Sequence, residues 1–533
     1  MSINFSPEGS LPVEGIHCIV DQSRCMSLLL NVLLMIVDWC DAGQATIDIL
    51  SDDSLLYVFD FYVAQASEVE AWHRLIHVCR RWRMIVFGSP RRLNLRIECT
   101  GDIPVRVKLN IWPALPIVIS GDLKSPSSLD NIKDVLEHRD RVCQIKLDFP
   151  DKWYFEETFG ESEDLPEFYL EEIFSALENP FPLLTVLKMR SAEAPSSPPI
   201  FPDPDKFLGG SAHLQSLWLT DLSIQGLPKL LLSSTGLVDL RLKDIVFSGY
   251  FSPDAMVTAL SALTRLKVLH FTLNYDRRPL NNFDRENQPV PLLTRTVLPS
   301  LTTLNAEGFT QILEELVVRI DTPLLDCLHI ALISYGFDFD LDTPQLHRFI
   351  SRMPKFRAPD KAHIGVNTKI RTLWIDFSSS KQTYSSVRLG ICRLAYEHKP
   401  ERHIPRLVQF CHSPFSPLPT VEYLYIGVGQ FSPQSQPLHG DNNTRWLELL
   451  QPFTAVKNLY LAKEFAPEIA HALKNLAEMV LPALENIFIE RQPQGHVHKA
   501  IGKFAAARQL SGHPIVINHW DRRQGVKHCG ESR

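Results

Sequence analysis

The chain has 533 residues, 45% hydrophobic and 22% charged, with a net charge of −7 and a pI near 6.3. So long a chain exceeds one compact core, and its buried surface must be divided or stacked. The proportions are those of a folded soluble protein, and the charge balance lacks the basic footprint of a nucleic-acid binder.

The 38 prolines against 24 glycines suit many stiff, extended connections between elements. Ten cysteines lie scattered from Cys18 to Cys529 with no C-x-x-C pair. Such usage fits reduced thiols and a location in the cytoplasm and/or nucleus.

Residues 1–46 read as a variable lead. Within it Leu28 to Val37 is apolar apart from Asn31, too short to span a bilayer and as long as a signal-peptide core. Asp38 and Asp41 stand where small cleavage-site residues belong, and the run begins late, after an acidic and polar stretch. It is expected to form a short packed or poorly ordered helix, with a targeting signal as the alternative and no membrane association.

Residues 47–92 carry the most specific local pattern. Ser51 precedes Asp52 and Asp53, an N-cap followed by acids where a helix dipole favours them. Leu55, Leu56, Phe59 and Val63 follow at helical spacing. A second helix is predicted to carry Trp72, Leu75, Val78, Cys79 and Trp82 on one stripe, with Arg80, Arg81 and Arg83 on its other side. Gly88-Ser89-Pro90 stops it.

The stretch L-S-D-D-S-L-L-Y-V-F-D-F-Y from Leu50, with V-C-R-R-W from Val78, resembles an F-box. The longer W-H-R-L-I-H-V-C-R-R-W-R-M-I-V-F-G-S-P-R-R-L-N-L is similar to F-box proteins abundant in mushroom-forming fungi. Blocks at Pro104, Ile111, Glu314 and Ala507 extend the likeness over nearly everything after residue 47. The resemblance implies a small all-helical module docking on a Skp-type adaptor, and through it on a cullin. Carried over by position, it places Leu50, Leu55, Leu56, Val58, Phe59, Val78, Cys79 and Trp82 at that contact. The family usually opens Leu-Pro, and Ser51 stands in the proline's place here. A helical hairpin packing its apolar face on the rest of the chain is the alternative that periodicity leaves open.

From residue 93 to 515 a short phrase recurs: apolar, two any, apolar, one any, apolar. It starts at Val142, Leu184, Leu214, Leu237, Leu266, Leu301, Leu325, Ile370, Val421, Val456 and Leu484, at intervals of 23 to 51 residues. Such recurrence marks stacked units. Helical stretches lie between, at Phe168 to Leu177, Asp254 to Leu263, Gln311 to Val318 and Glu468 to Met479. The pattern resembles degenerate leucine-rich repeats, with Asp221 and Asp244 near the usual asparagine. The expected fold class is therefore α/β: a helical F-box, then an irregular solenoid with a parallel strand face and outer helices.

In each phrase the residue between the last two apolar positions must point away from the core. Those residues are Lys146, Lys188, Trp218, Arg241, His270, Asn305, His329, Trp374, Tyr425, Tyr460 and Phe488. Outward aromatics in a row mark a binding surface for a target protein. Trp218, Arg241, Trp374, Tyr425, Tyr460 and Phe488 are the candidate target-binding residues. The alternative is that the C-terminal segment, or the loop 427–444, covers the last four.

Other patterns give no catalytic residue, cofactor or metal site. His73 and His77 lack a third ligand, and Ser378 to Lys381 matches S-x-x-K without its companions. The D-F-D-L-D run from Asp338 lacks the glycine and glutamate of a calcium loop. His496 and His498 read as a solvated tail or a strand pair. Residues 191–206 and 274–291 read as loops, and 516–533 as a fraying polar tail. The expectation is a non-enzymatic receptor subunit of an SCF-type cullin-RING ubiquitin ligase that holds an unknown target protein. A repeat scaffold with a diverged F-box that does not engage the ligase is the alternative, and Ser51 is its support.

Overall fold

The computed structural model describes residues 50–65, 71–88, 95–100, 104–111, 114, 116–149, 165–191, 207–209, 213–222, 227–246, 253–274, 295–334, 343–356, 358–367, 372–379, 382–393, 404–412, 418–428, 443–473, 480–490 and 496–520. The Leu28–Val37 run, the Asp338 run, and most of the expected loops at 191–206, 274–291 and 427–444 lie outside them. The chain divides into two compact units, Met1–Asn94 and Leu95–Arg533.

The first unit holds three helices: α1 (Asp52–Gln65), α2 (Ala71–Ile76) and α3 (Arg80–Gly88). Ser51 caps α1, its Oγ accepting from the Ser54 N–H at 3.2 Å. One helix was expected where α2 and α3 stand, and the break between them falls at His77 to Cys79. Local bonds favour two pieces: Arg83 Nε donates to the Ile76 carbonyl at the end of α2 (3.0 Å), and the Trp82 N–H donates to Cys79 Sγ (3.4 Å) at the start of α3. Arg81 ties α3 to α1, donating to the Leu50 carbonyl and pairing with Asp52 at 2.8 Å.

The second unit is built on one sheet of sixteen strands among the described residues. The strands of this unit are β1 (Leu95–Cys99), β2 (Ile117–Asp122), β3 (Val142–Phe149), β4 (Val186–Ser191), β5 (Ser216–Thr220), β6 (Asp239–Val246), β7 (Val268–Asn274), β8 (Thr296–Val297), β9 (Thr303–Phe309), β10 (Ile320–Asp321), β11 (Cys327–Ser334), β12 (Lys361–Asn367), β13 (Thr372–Ser379), β14 (Gln382–Arg393), β15 (Tyr423–Val428), β16 (Asn458–Leu461), β17 (Asn486–Glu490) and β18 (Val516–Trp520). Their order follows the chain except that β14, β13 and β12 run in reverse between β11 and β15; β8 and β10 pair apart from the large sheet.

Every phrase lands on a strand, and neighbouring strands pair in parallel except around β13, which is antiparallel to both β12 and β14. Parallel neighbours need a crossover, and helices supply many of them. One is Pro126–Leu136, capped by Ser125, whose Oγ accepts from the Ser128 N–H at 3.1 Å. The expected helical stretches appear as Leu165–Ala176, Pro253–Ser261, Thr310–Arg319 and Ala466–Leu473.

One side of the sheet is closed by a single cross-strand file that includes Ile97, Ile119, Ile145, Leu187, Leu217, Leu240, Leu269, Leu304, Leu328, Leu424, Leu459 and Ile487, all buried. Burying each such side chain stabilises by about 1.5–3 kcal/mol relative to exposure, so a one-residue slip of any strand is strongly opposed. Asp221, just past β5, and Asp244, at the register shift within β6, adopt left-handed backbone (φ 55° and 53°), a conformation Asp tolerates better than most residues. The long mixed sheet with helices alongside resembles a leucine-rich-repeat solenoid.

The C-terminal boundary differs from expectation. Residues 516–520 form β18, pairing with β17 from Asn486↔Val516 to Glu490↔Trp520, and so belong to the sheet. The β-favouring Val516, Ile517 and Trp520 carried that signal inside a polar sequence. His496 and His498 likewise lie on a helix, His496–Leu510, with the His498 ring 5.3 Å from that of His519.

Candidate functional sites: a helical unit and an open sheet face

In the first unit, Leu55, Leu56 and Phe59 are buried, and the Phe59 ring packs at 4.7 Å on the half-buried Trp82. These four, expected at an adaptor contact, therefore hold α1 against α3, and three of them present no surface. Val58 and Leu50 are half-buried, while Val78 (59% exposed) and Cys79 are exposed at the break between α2 and α3. Two further apolar side chains were missed: Tyr57 at 67% and Met84 at 65% exposed. Both fall between the stripe positions, so apolar periodicity alone passes over them.

On the second unit one row of residues crosses the open face. Register pairs Ser120 with Lys146, then Lys188, Trp218, Arg241, His270, Asn305 and His329. It continues through Arg388, Asp376 and His363 to Tyr425, Tyr460, Phe488 and Asn518. Ten of the eleven expected outward residues stand in this row.

Trp374 is the exception. On antiparallel β13 the row position belongs to Asp376, which Arg388 clasps at 2.5 and 2.7 Å. Trp374 lies one step along the same face and is only 8% exposed. Its indole covers Gly365, meets the His363 ring edge-on at 4.6 Å, and sits 4.8 Å from the Arg388 guanidinium. The phrase at Ile370 was read as one more parallel repeat, and reversing the strand turned an exposed aromatic into a buried one.

At one end of the row Trp218 is flanked by cations: Lys188 Nζ is 3.0 Å and Arg241 Cζ 3.9 Å from its ring centre. Asp239 accepts from Trp218 Nε1 at 2.9 Å and from Arg241 Nε at 3.0 Å. Partial burial, then Lys146 and Arg241, push the Lys188 amine down to about 8. The unfolded chain holds that proton up to the ordinary value of 10.5, so the charge penalises the folded state below pH 8 and the penalty lifts as pH rises from about 8 to 10.5. Lys188→Gln should accordingly raise the thermal midpoint at pH 7 and lose that advantage by pH 10.5. An unchanged midpoint at pH 7 would contradict the assignment.

Mid-row, burial and the nearby arginines hold His270 and His329 neutral, each pushed down to about 4. The unfolded chain protonates them near 6.5, so folding stability should fall as pH drops from 6.5 to 4. His270→Gln/His329→Gln should flatten that slope in urea titrations at pH 4.5 and 7. A slope as steep as wild type would contradict it.

At the far end the aromatics stack. Tyr425 and Tyr460 lie 4.2 Å apart at 14°, and Tyr460 and Phe488 lie 4.4 Å apart at 6°. Burial first, then the Tyr460 hydroxyl, push the Tyr425 phenol above its ordinary range. Trp520 of β18 meets Tyr460 edge-on at 5.4 Å and donates to the Leu461 carbonyl at 3.2 Å. The C-terminal segment thus braces this ladder along one edge, and Tyr425, Tyr460 and Phe488 stay half-exposed. His363, Asp376, Arg388, Asn518 and Trp520 were missed. Alternation on β12 and β14 (Ala362, Ile364; Val387, Leu389) was legible without the phrase.

Among the described residues no group of three or more His, Cys, Asp or Glu is placed to hold a metal, and no helix is long and apolar enough to cross a membrane. Ser378 and Ser379 lie in β13, whereas Ser380 and Lys381 fall outside the described residues.

No family model matches the chain, and no curated protein does. Among solved structures it is similar to the leucine-rich repeat-containing protein LegL7 from Legionella pneumophila, at 11% identity and a TM-score of 0.27, over 79% of this chain and 98% of that one. The repeat reading rests on the phrase, the register and the buried file above.

Proposed function

We propose that this protein is the non-catalytic receptor subunit of an SCF-type cullin-RING ubiquitin ligase, acting in the cytoplasm and/or nucleus. The observation that carries the reading is a helical unit, separate from the sheet, whose sequence resembles an F-box and whose surface exposes Tyr57, Val78, Cys79 and Met84. In this reading that surface docks on a Skp-type adaptor, with Val58 at its margin. The open face of the sheet captures a target protein, chiefly through the stacked Tyr425, Tyr460 and Phe488. Half-exposed aromatics already fixed by stacking lose little conformational entropy on binding, which suits them as anchors.

The mechanism is proximity. A target held on the sheet is kept near a ubiquitin-charged enzyme recruited through the cullin, which raises the effective concentration of its lysines. The bond-forming chemistry belongs to the other subunits, and no cofactor is required of this chain. Affinity purification of the tagged full chain from eukaryotic cells, read by mass spectrometry, should recover adaptor and cullin together. Recovery of neither would leave a repeat-built interaction scaffold, the reading that Ser51 in place of proline favours; its side chain nevertheless caps α1 without distorting it.

A further inference from the structure

The open face carries one concentration of charge that the fold does not relieve. Lys146 and Lys188 are direct cross-strand partners on β3 and β4, and like charges so placed repel. Arg241 stands two strands further on, with Trp218 between. Both oxygens of Asp239 are already engaged, by Trp218 and by Arg241. In the adjoining row Arg190 is paired with Asp148 at 2.9 Å, and Lys243 lies 3.9 Å from Asp244. Among the described residues neither Lys146 nor Lys188 has an ion-pair partner.

We infer that the row Lys146, Lys188, Trp218, Arg241 binds an acidic peptide segment of a partner protein, extended across β3 to β6 with its carboxylates on the three cations. Geometry favours distributed carboxylates over one phosphate. Lys146 and Arg241 stand three strands apart, ~14 Å at the usual strand spacing, so spaced carboxylates fit the whole row, whereas one phosphate bridges only neighbouring cations. The whole row spans ~14 Å, the reach of about five extended residues whose alternate side chains face the sheet. Trp218 holds the Lys188 and Arg241 heads against its ring, so two of the three cations are in place before the ligand arrives. The inference rests on the reading that the open face is the binding face, and it names the chemistry of one end of that face.

Fluorescence anisotropy of labelled hexaglutamate with the full chain tests it. Wild type should bind at low salt and weaken at least tenfold between 50 and 200 mM salt. Lys146→Gln/Lys188→Gln should lower affinity at least tenfold with no loss of thermal midpoint, whereas Lys503→Gln, an exposed lysine on the His496–Leu510 helix, should leave it within twofold. Hexaglutamate binding unaffected by the lysine pair would overturn the proposal. So would tighter capture, through the same lysines, of a labelled peptide with one phosphoserine flanked by glycines, which would make the site a phosphate pocket. The adaptor is absent from the assay, so neither result bears on the helical unit. A face that fails here but still loses its co-purifying target on Tyr460→Ala would fail only in its charge chemistry.

Discussion

Gly365→Val is expected to cost about 3–5 kcal/mol, the range for losing a buried tryptophan from a core. A Cβ at Gly365 would fall 2.1 Å from Cζ2 and 2.3 Å from Cε2 of Trp374. The indole is a rigid plate with His363 and Arg388 against it, so it has no small adjustment to make. It must leave, uncovering the β12–β14 insert. Gly502→Ala is the control: nothing lies within 4 Å of a Cβ there, and a helical Gly→Ala change stabilises by roughly 0.5–1 kcal/mol. Urea midpoints of the two variants should move in opposite directions. A Gly365→Val protein as stable as wild type would show that Trp374 does not pack across β12.

Phe59→Ala should cost a similar about 3–5 kcal/mol, confined to the first unit. Phe59 is fully buried and packs at a tilt on Trp82, whose Nε1 is itself buried without a hydrogen-bond partner. Removing the ring opens a cavity and lets water reach that indole. Amide exchange should accelerate across Asp52–Gln65 and Arg80–Gly88 and leave β15 to β17 protected. Exchange unchanged in α1 and α3 would contradict the packing. The same result makes Phe59 a poor probe of partner binding, because any loss would report unfolding; the exposed Val78 and Met84 are the better ones.

Much of this architecture was legible. A six-residue phrase fixes two buried positions and one outward position on a strand, so the strands that carry it and most of the face row followed from period 2. What escaped had a physical reason. Strands β12 and β14 alternate without the phrase, and the phrase on β13 carries no direction, so reversal of β13 put Asp376 where Trp374 was expected. In the first unit, helical spacing marks which side chains share a face and not whether that face looks in or out. Leu55, Leu56 and Phe59 proved to be interior, and the exposed Tyr57 and Met84 fell outside the stripe. The break at Val78 and Cys79 depends on side-chain caps from Arg83 and Cys79, which periodicity does not register.

The most direct measurement is the affinity of a purified Skp-type adaptor for the full chain, wild type beside Val78→Glu/Met84→Glu, by calorimetry with thermal midpoints recorded for both. Wild type should bind, and the double variant should lose at least a hundredfold in affinity while melting at the wild-type temperature, since both side chains are exposed and a buried charge at an interface is costly. A folded wild-type chain that does not bind the adaptor, or a variant that binds it equally well, would contradict the proposed handle.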